Sequence, residues 1–144
     1  MKLRAVVLGV FAFAFLGRVV GQVVVAFLAP GWLPPMEEWY SGLLPYSVLL
    51  PIQAAILAVQ ARISWDLWRG RGFFAQRHPR FGVGLRRFSY LYFAVMALRY
   101  VITMALFPEN RWFRGTIPIF FHWVLAAYLF VWSRSHTHPV AESA

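Results

Sequence analysis

Two arginines, Arg18 and Arg99, stand inside long apolar runs. A charge at the centre of a bilayer costs at least about 2.5–3.5 kcal/mol on insertion scales, so such a group faces protein, water or a bound anion rather than acyl chains. Helical spacing gathers other polar groups around each. Phe15, Arg18 and Gln22 fall on one face, and Tyr92, Met96, Arg99 and Thr103 form a similar stripe. Gln53 and Gln60 lie one heptad apart on another run, and His122 is the ionisable group in the middle of a fourth. A guanidinium stays charged, and its planar fork matches a carboxylate or phosphate. The chemistry these residues point to is anion capture in a polar pocket made by Arg18, Gln22, Gln53, Arg99 and His122. His122 is the candidate proton donor or acceptor if a reaction follows binding.

Three other uses of the same groups stand beside this one. The arginines can pair with Glu37, Glu38 or Glu109 folding inward, or with acids on a partner subunit. His122 can serve as an axial haem ligand, which in a helix bundle calls for a second ligand on a facing helix. Met104 is the residue at similar depth that fits that role.

The remaining chemistry is thin. The chain contains no cysteine, which excludes thiol catalysis, thiolate metal sites and iron–sulfur clusters. Glu37 and Glu38 are adjacent and point apart on any regular element, so they make no acid/base pair. Gly82 and Gly84 lack the rest of a dinucleotide fingerprint. His136, Thr137 and His138 read as a solvated tail, and no metal site is expected.

The elements that must position these residues follow from hydropathy. Sixty per cent of the 144 residues are hydrophobic and the mean hydropathy is +0.60. A soluble domain is nearer 45–50% apolar, so the excess belongs in lipid. At roughly 20 residues per span the chain holds about four helices. The expected fold is an all-α, four-helix transmembrane bundle forming one integral domain. Its spans run about 5–28, 43–63, 88–107 and 116–132. Pro45 and Pro118 suit first helical turns, and Pro51 should bend its helix. Gly17 and Gly21 form a small-xxx-small pair that lets a neighbouring helix approach.

The net charge of +9 belongs to topology, not to nucleic acid. Ten of the basic residues fall on one side of these spans, and Arg111 and Arg114 fall in loops on the other. Basic loops stay cytoplasmic, so both termini and a basic loop over 64–87 are expected in the cytoplasm, with a bacterial-type inner membrane as the location. Trp32, Trp39, Tyr40 and Trp112 then mark the outer interface. Four glycines, at positions 70, 72, 82 and 84, argue against continuous helix in the basic loop. Its interleaved arginines and aromatics suit an anionic headgroup layer.

The functional expectation is a small membrane protein that binds an amphiphilic anion in the outer half of the bilayer. A membrane lipid, an isoprenoid phosphate or a quinone-like molecule fits. The alternatives are an accessory subunit, with a membrane-protein partner or a second copy as its contact, and a haem-bearing electron-transfer subunit.

Overall fold

The apolar runs form four long helices. The computed structural model describes residues 2–39, 44–107 and 116–137, and every regular element among them is helical. In chain order these are α1 (Lys2–Leu28), a short α2 (Met36–Trp39), α3 (Tyr46–Arg69), a 3₁₀ turn at Phe73–Ala75, α4 (Pro79–Leu106) and α5 (Ile117–Thr137). The four long helices are each long and apolar enough to cross a membrane. The protein is an all-α polytopic membrane protein, and its spans form a four-helix bundle. Tyr40, Leu43, Glu109, Arg111, Trp112, Arg114 and His138, which carried expectations above, lie outside the described residues.

Local chemistry sets the helix ends. Ala29 takes a φ of 40° directly after α1, and Pro30 follows with no N–H to continue the helix. Pro45 caps α3 from outside rather than sitting in its first turn. Gly70 closes α3 in the left-handed region, φ 66° and ψ 16°, with its N–H on the Asp66 and Leu67 carbonyls. Glycine adopts that conformation without a Cβ penalty. Pro79 opens α4, where a missing N–H costs little. Pro51 lies inside α3, and the helix continues through it.

The basic loop is much shorter than 64–87. α3 runs on to Arg69 and α4 starts at Pro79, so only residues 70–78 connect them. Gly82 and Gly84 are helical after all. The helix penalty of glycine is only about 1 kcal/mol, and close packing outweighs it. A Cβ on Gly82 would stand 2.6 Å from the His136 Cβ, so this glycine is what lets α4 lie against α5. The connector is anchored by Asp66, which is buried. It accepts the Phe74 N–H at 3.3 Å and pairs with Arg62 at 3.2 Å. Gly72, at φ 117°, leaves room for that carboxylate.

Packing orders the long helices as α3–α1–α5–α4. α1 lies against α3 and α5, and α5 against α4, whereas α3 and α4 do not pack along each other. At the basic end the row is sealed. Ala5, Leu8, Ile63, Leu67, Tyr128 and Trp132 form the core there. The Tyr128 hydroxyl donates to the Gln60 carbonyl at 3.0 Å, and Arg4 donates to the Arg134 carbonyl at 2.9 Å, tying the two chain ends together. His136 is part of this packing, not of a solvated tail. It is buried against Phe81 and Trp132, and its Nδ1 accepts the His78 N–H. Toward the other end the row parts, and the polar residues lie in that half.

Candidate functional site

Arg18 is held from two directions. Its Nη1 donates to Gln22 Oε1 at 2.9 Å, one turn along α1, and its Nη2 donates to the Trp39 carbonyl at 2.7 Å. The chain gets back to Arg18 because the segment after Pro30 folds onto α1. Trp39 was expected at the membrane interface. It is buried with its ring over Gly21, and its Nε1 donates to the Pro34 carbonyl at 3.0 Å. The physical reason is the charge: a membrane-embedded guanidinium lacking an acid needs backbone acceptors, and only non-helical or helix-terminal carbonyls are available. Gly21 therefore admits an indole rather than a helix, and Gly17 has nothing near it. Gly17 and Gly21 thus do not serve as a small-xxx-small pair for a neighbouring long helix.

Gln53 reaches across from α3. Its Nε2 donates to the same Gln22 Oε1 at 3.0 Å. Arg18, Gln22 and Gln53 thus form one buried network linking α1, α2 and α3. Three of its atoms lack a partner: Arg18 Nε, Gln22 Nε2 and Gln53 Oε1. On the opposite side, the Tyr92 hydroxyl of α4 is hydrogen-bonded to His122 Nδ1 of α5, with the two rings edge to face.

Between these two groups lies a cavity of about 340 Å³, within the range of small-molecule sites. Arg18, Gln53, Arg99 and His122 all line it, with Tyr92, Met96 and Phe121 completing the polar and aromatic part of the wall. Gln22 stands behind it, holding Arg18 and Gln53. The rest is apolar, from Phe15, Pro118 and the aliphatic Leu44, Leu49, Ile52, Ile56 and Leu125. Among the described residues no carboxylate lines the cavity. Neither Glu37 nor Glu38 forms an ion pair with Arg18, whose acceptors are an amide and a carbonyl. Met104 is not in the wall; Met96 is.

The two arginines differ in kind. Arg18 is buried to 8% exposure and engaged by protein, with the Phe121 ring 5.9 Å from its Cζ. Arg99 is half-buried on the wall, and among the described residues its guanidinium meets no acceptor. The sequence names Arg18, Gln22, Gln53, Arg99 and His122 because polar types stand out in apolar runs. It does not name the Trp39 carbonyl, since a backbone acceptor has no residue signature. The Pro-rich stretch ahead of Trp39 was the available hint. Comparison with protein-family models, with curated proteins and with solved structures finds no match.

Proposed function

We propose that this protein binds an amphiphilic oxyanion within a bacterial-type inner membrane, with both termini in the cytoplasm. The headgroup meets Arg99, with Arg18 and Gln53 beside it and the Tyr92–His122 pair across from it. The tail lies among the aliphatic residues and leaves between α3 and α4. One observation carries this reading: two guanidinium groups line a single cavity, with no carboxylate among its described wall residues, at the place where the helices do not close. Two like charges in low dielectric repel, and a bound oxyanion offsets that repulsion while giving Arg99 an acceptor that no described residue supplies.

A single test decides between outcomes. Native mass spectrometry from mild detergent should report an adduct of lipid-like mass on the parent protein. Arg99→Gln should lose at least about tenfold of it, a charge-assisted hydrogen bond being worth about 1.5–3 kcal/mol. An Arg99→Gln protein that retains the adduct in full overturns the reading.

The gap between α3 and α4 also favours a second reading. A partner's helix bearing an acid would fit the same opening, making this chain a subunit of a larger membrane complex. The mass experiment separates the two, since it would then report a protein partner and no small adduct.

A further inference from the structure

The network behind the cavity specifies more about the headgroup than its charge, on the reading that an oxyanion binds there. A guanidinium can only donate, so the Gln22 atom facing Arg18 is its oxygen. Gln53 approaches that same oxygen, so the atom it presents is its nitrogen. The orientation of both amides is thereby fixed by Arg18. Gln53 Oε1 is then the atom left over: a buried acceptor without a hydrogen-bond partner, on a residue that lines the cavity and is only 4% exposed. The Gln60 amide oxygen is unpartnered too, but Gln60 does not line the cavity.

An oxyanion cannot satisfy Gln53 Oε1, because both are acceptors. The group that does so must carry a proton. An ammonium is disfavoured, since it would sit beside Arg18 and Arg99 with no carboxylate among the described wall residues to balance it. A neutral hydroxyl suffers neither problem. Close by, Arg18 Nε is a donor with no partner and is suited to the oxyanion itself. Arg18 and Gln53 contact one common oxygen, at 2.9 and 3.0 Å, so their free atoms belong to a single small cluster.

We infer that the bound amphiphile carries a hydroxyl next to its oxyanion and no cationic group, as in a polyol phosphate. The hydroxyl donates to Gln53 Oε1, and the oxyanion takes Arg99 and Arg18 Nε.

Competition binding in detergent, using four probes of equal chain length, tests this. The probes are a 1-acyl-glycerol 3-phosphate, an alkyl monophosphate, an acylglycerol without phosphate, and the phosphoethanolamine ester of the first. The glycerol phosphate should bind about 2- to 12-fold tighter than the alkyl phosphate, the factor one neutral hydrogen bond supplies. It should also outbind the neutral and the zwitterionic probes. Gln53→Leu should equalise the two phosphates. The ranking on the parent protein stands even if that variant folds poorly. An alkyl phosphate that binds as tightly as the glycerol phosphate overturns the hydroxyl assignment, and a phosphoethanolamine ester that matches the glycerol phosphate overturns the exclusion of a cationic group. Failure of both phosphates to bind, or their indifference to Arg99→Gln, instead removes the anion site itself.

Discussion

Arg18 and Arg99 look alike in the sequence and do different work in the structure. Arg18 fastens the Pro30–Trp39 segment to the bundle through the Trp39 carbonyl and joins α3 through Gln22. Removing it strands a buried carbonyl and a buried amide, which costs about 1–3 kcal/mol for each group left unsatisfied. Arg18→Leu should therefore lower the melting temperature in detergent and expose residues 30–39 to protease, whereas Arg99→Gln should melt like the parent. Equal melting of all three proteins would remove the distinction. His122 allows a sharper comparison. His122→Phe keeps the volume and strands the Tyr92 hydroxyl; His122→Gln can still accept from it. Binding of the anionic probe should be lost in the first and partly kept in the second. Equal binding by both would make His122 a packing residue. Which side chains gather was legible because a polar residue in an apolar run must find company. Which acceptor serves Arg18 was not, because carbonyls are common to every residue.

At the scale of elements, glycine positions decide which surfaces approach. The sequence pattern locates the spans well, since apolar runs of about twenty residues allow few other structures. It is less informative about close contacts. Gly17 and Gly21 looked equivalent, yet only Gly21 touches another group, the Trp39 ring, at 2.7 Å from where a Cβ would stand. Gly82 and Gly84 looked like loop residues, yet Gly82 is the seat of α5 on α4. Glycine signals either a turn or a close approach, and the sequence does not separate the two. Substitution does. Gly21→Leu should displace Trp39, weaken the Arg18 bond to its carbonyl and shift tryptophan fluorescence. Gly17→Leu should leave the spectrum unchanged. Gly82→Val should lower the melting temperature by separating α4 from α5. Gly84→Ala, in open space, should be neutral or should stabilise by up to about 1 kcal/mol. A Gly84→Ala protein as damaged as Gly82→Val would undo this account of the α4–α5 contact.

For the whole molecule, the proposed orientation has its own measurement. Reporter fusions at Arg77 and after the last residue should both report cytoplasm, given ten basic residues on one side of the spans. A periplasmic signal from either would reverse the placement of the cavity. The larger consequence of the architecture is asymmetry along the bundle. A sealed core at the basic end holds α1, α3 and α5 together, while α3 and α4 do not pack against each other on either side of the polar cavity. On the proposed function, this gap would give an amphiphile a lateral way in, from the acyl chains rather than from water, so that its tail need never be exposed. Because the chain has no cysteine, a pair introduced at Ile52 on α3 and Met96 on α4, which line the cavity between the two helices, can be targeted without background. Bridging them with a bifunctional maleimide should slow uptake of an added acyl-glycerol phosphate and equally slow loss of one already bound. The same bridge between α4 and α5, which already pack together, should change neither rate. Unchanged exchange in the α3–α4 bridged protein would show that the ligand enters elsewhere. The route would then have to be sought past Phe121, toward the second cavity beside Trp123 and Tyr100.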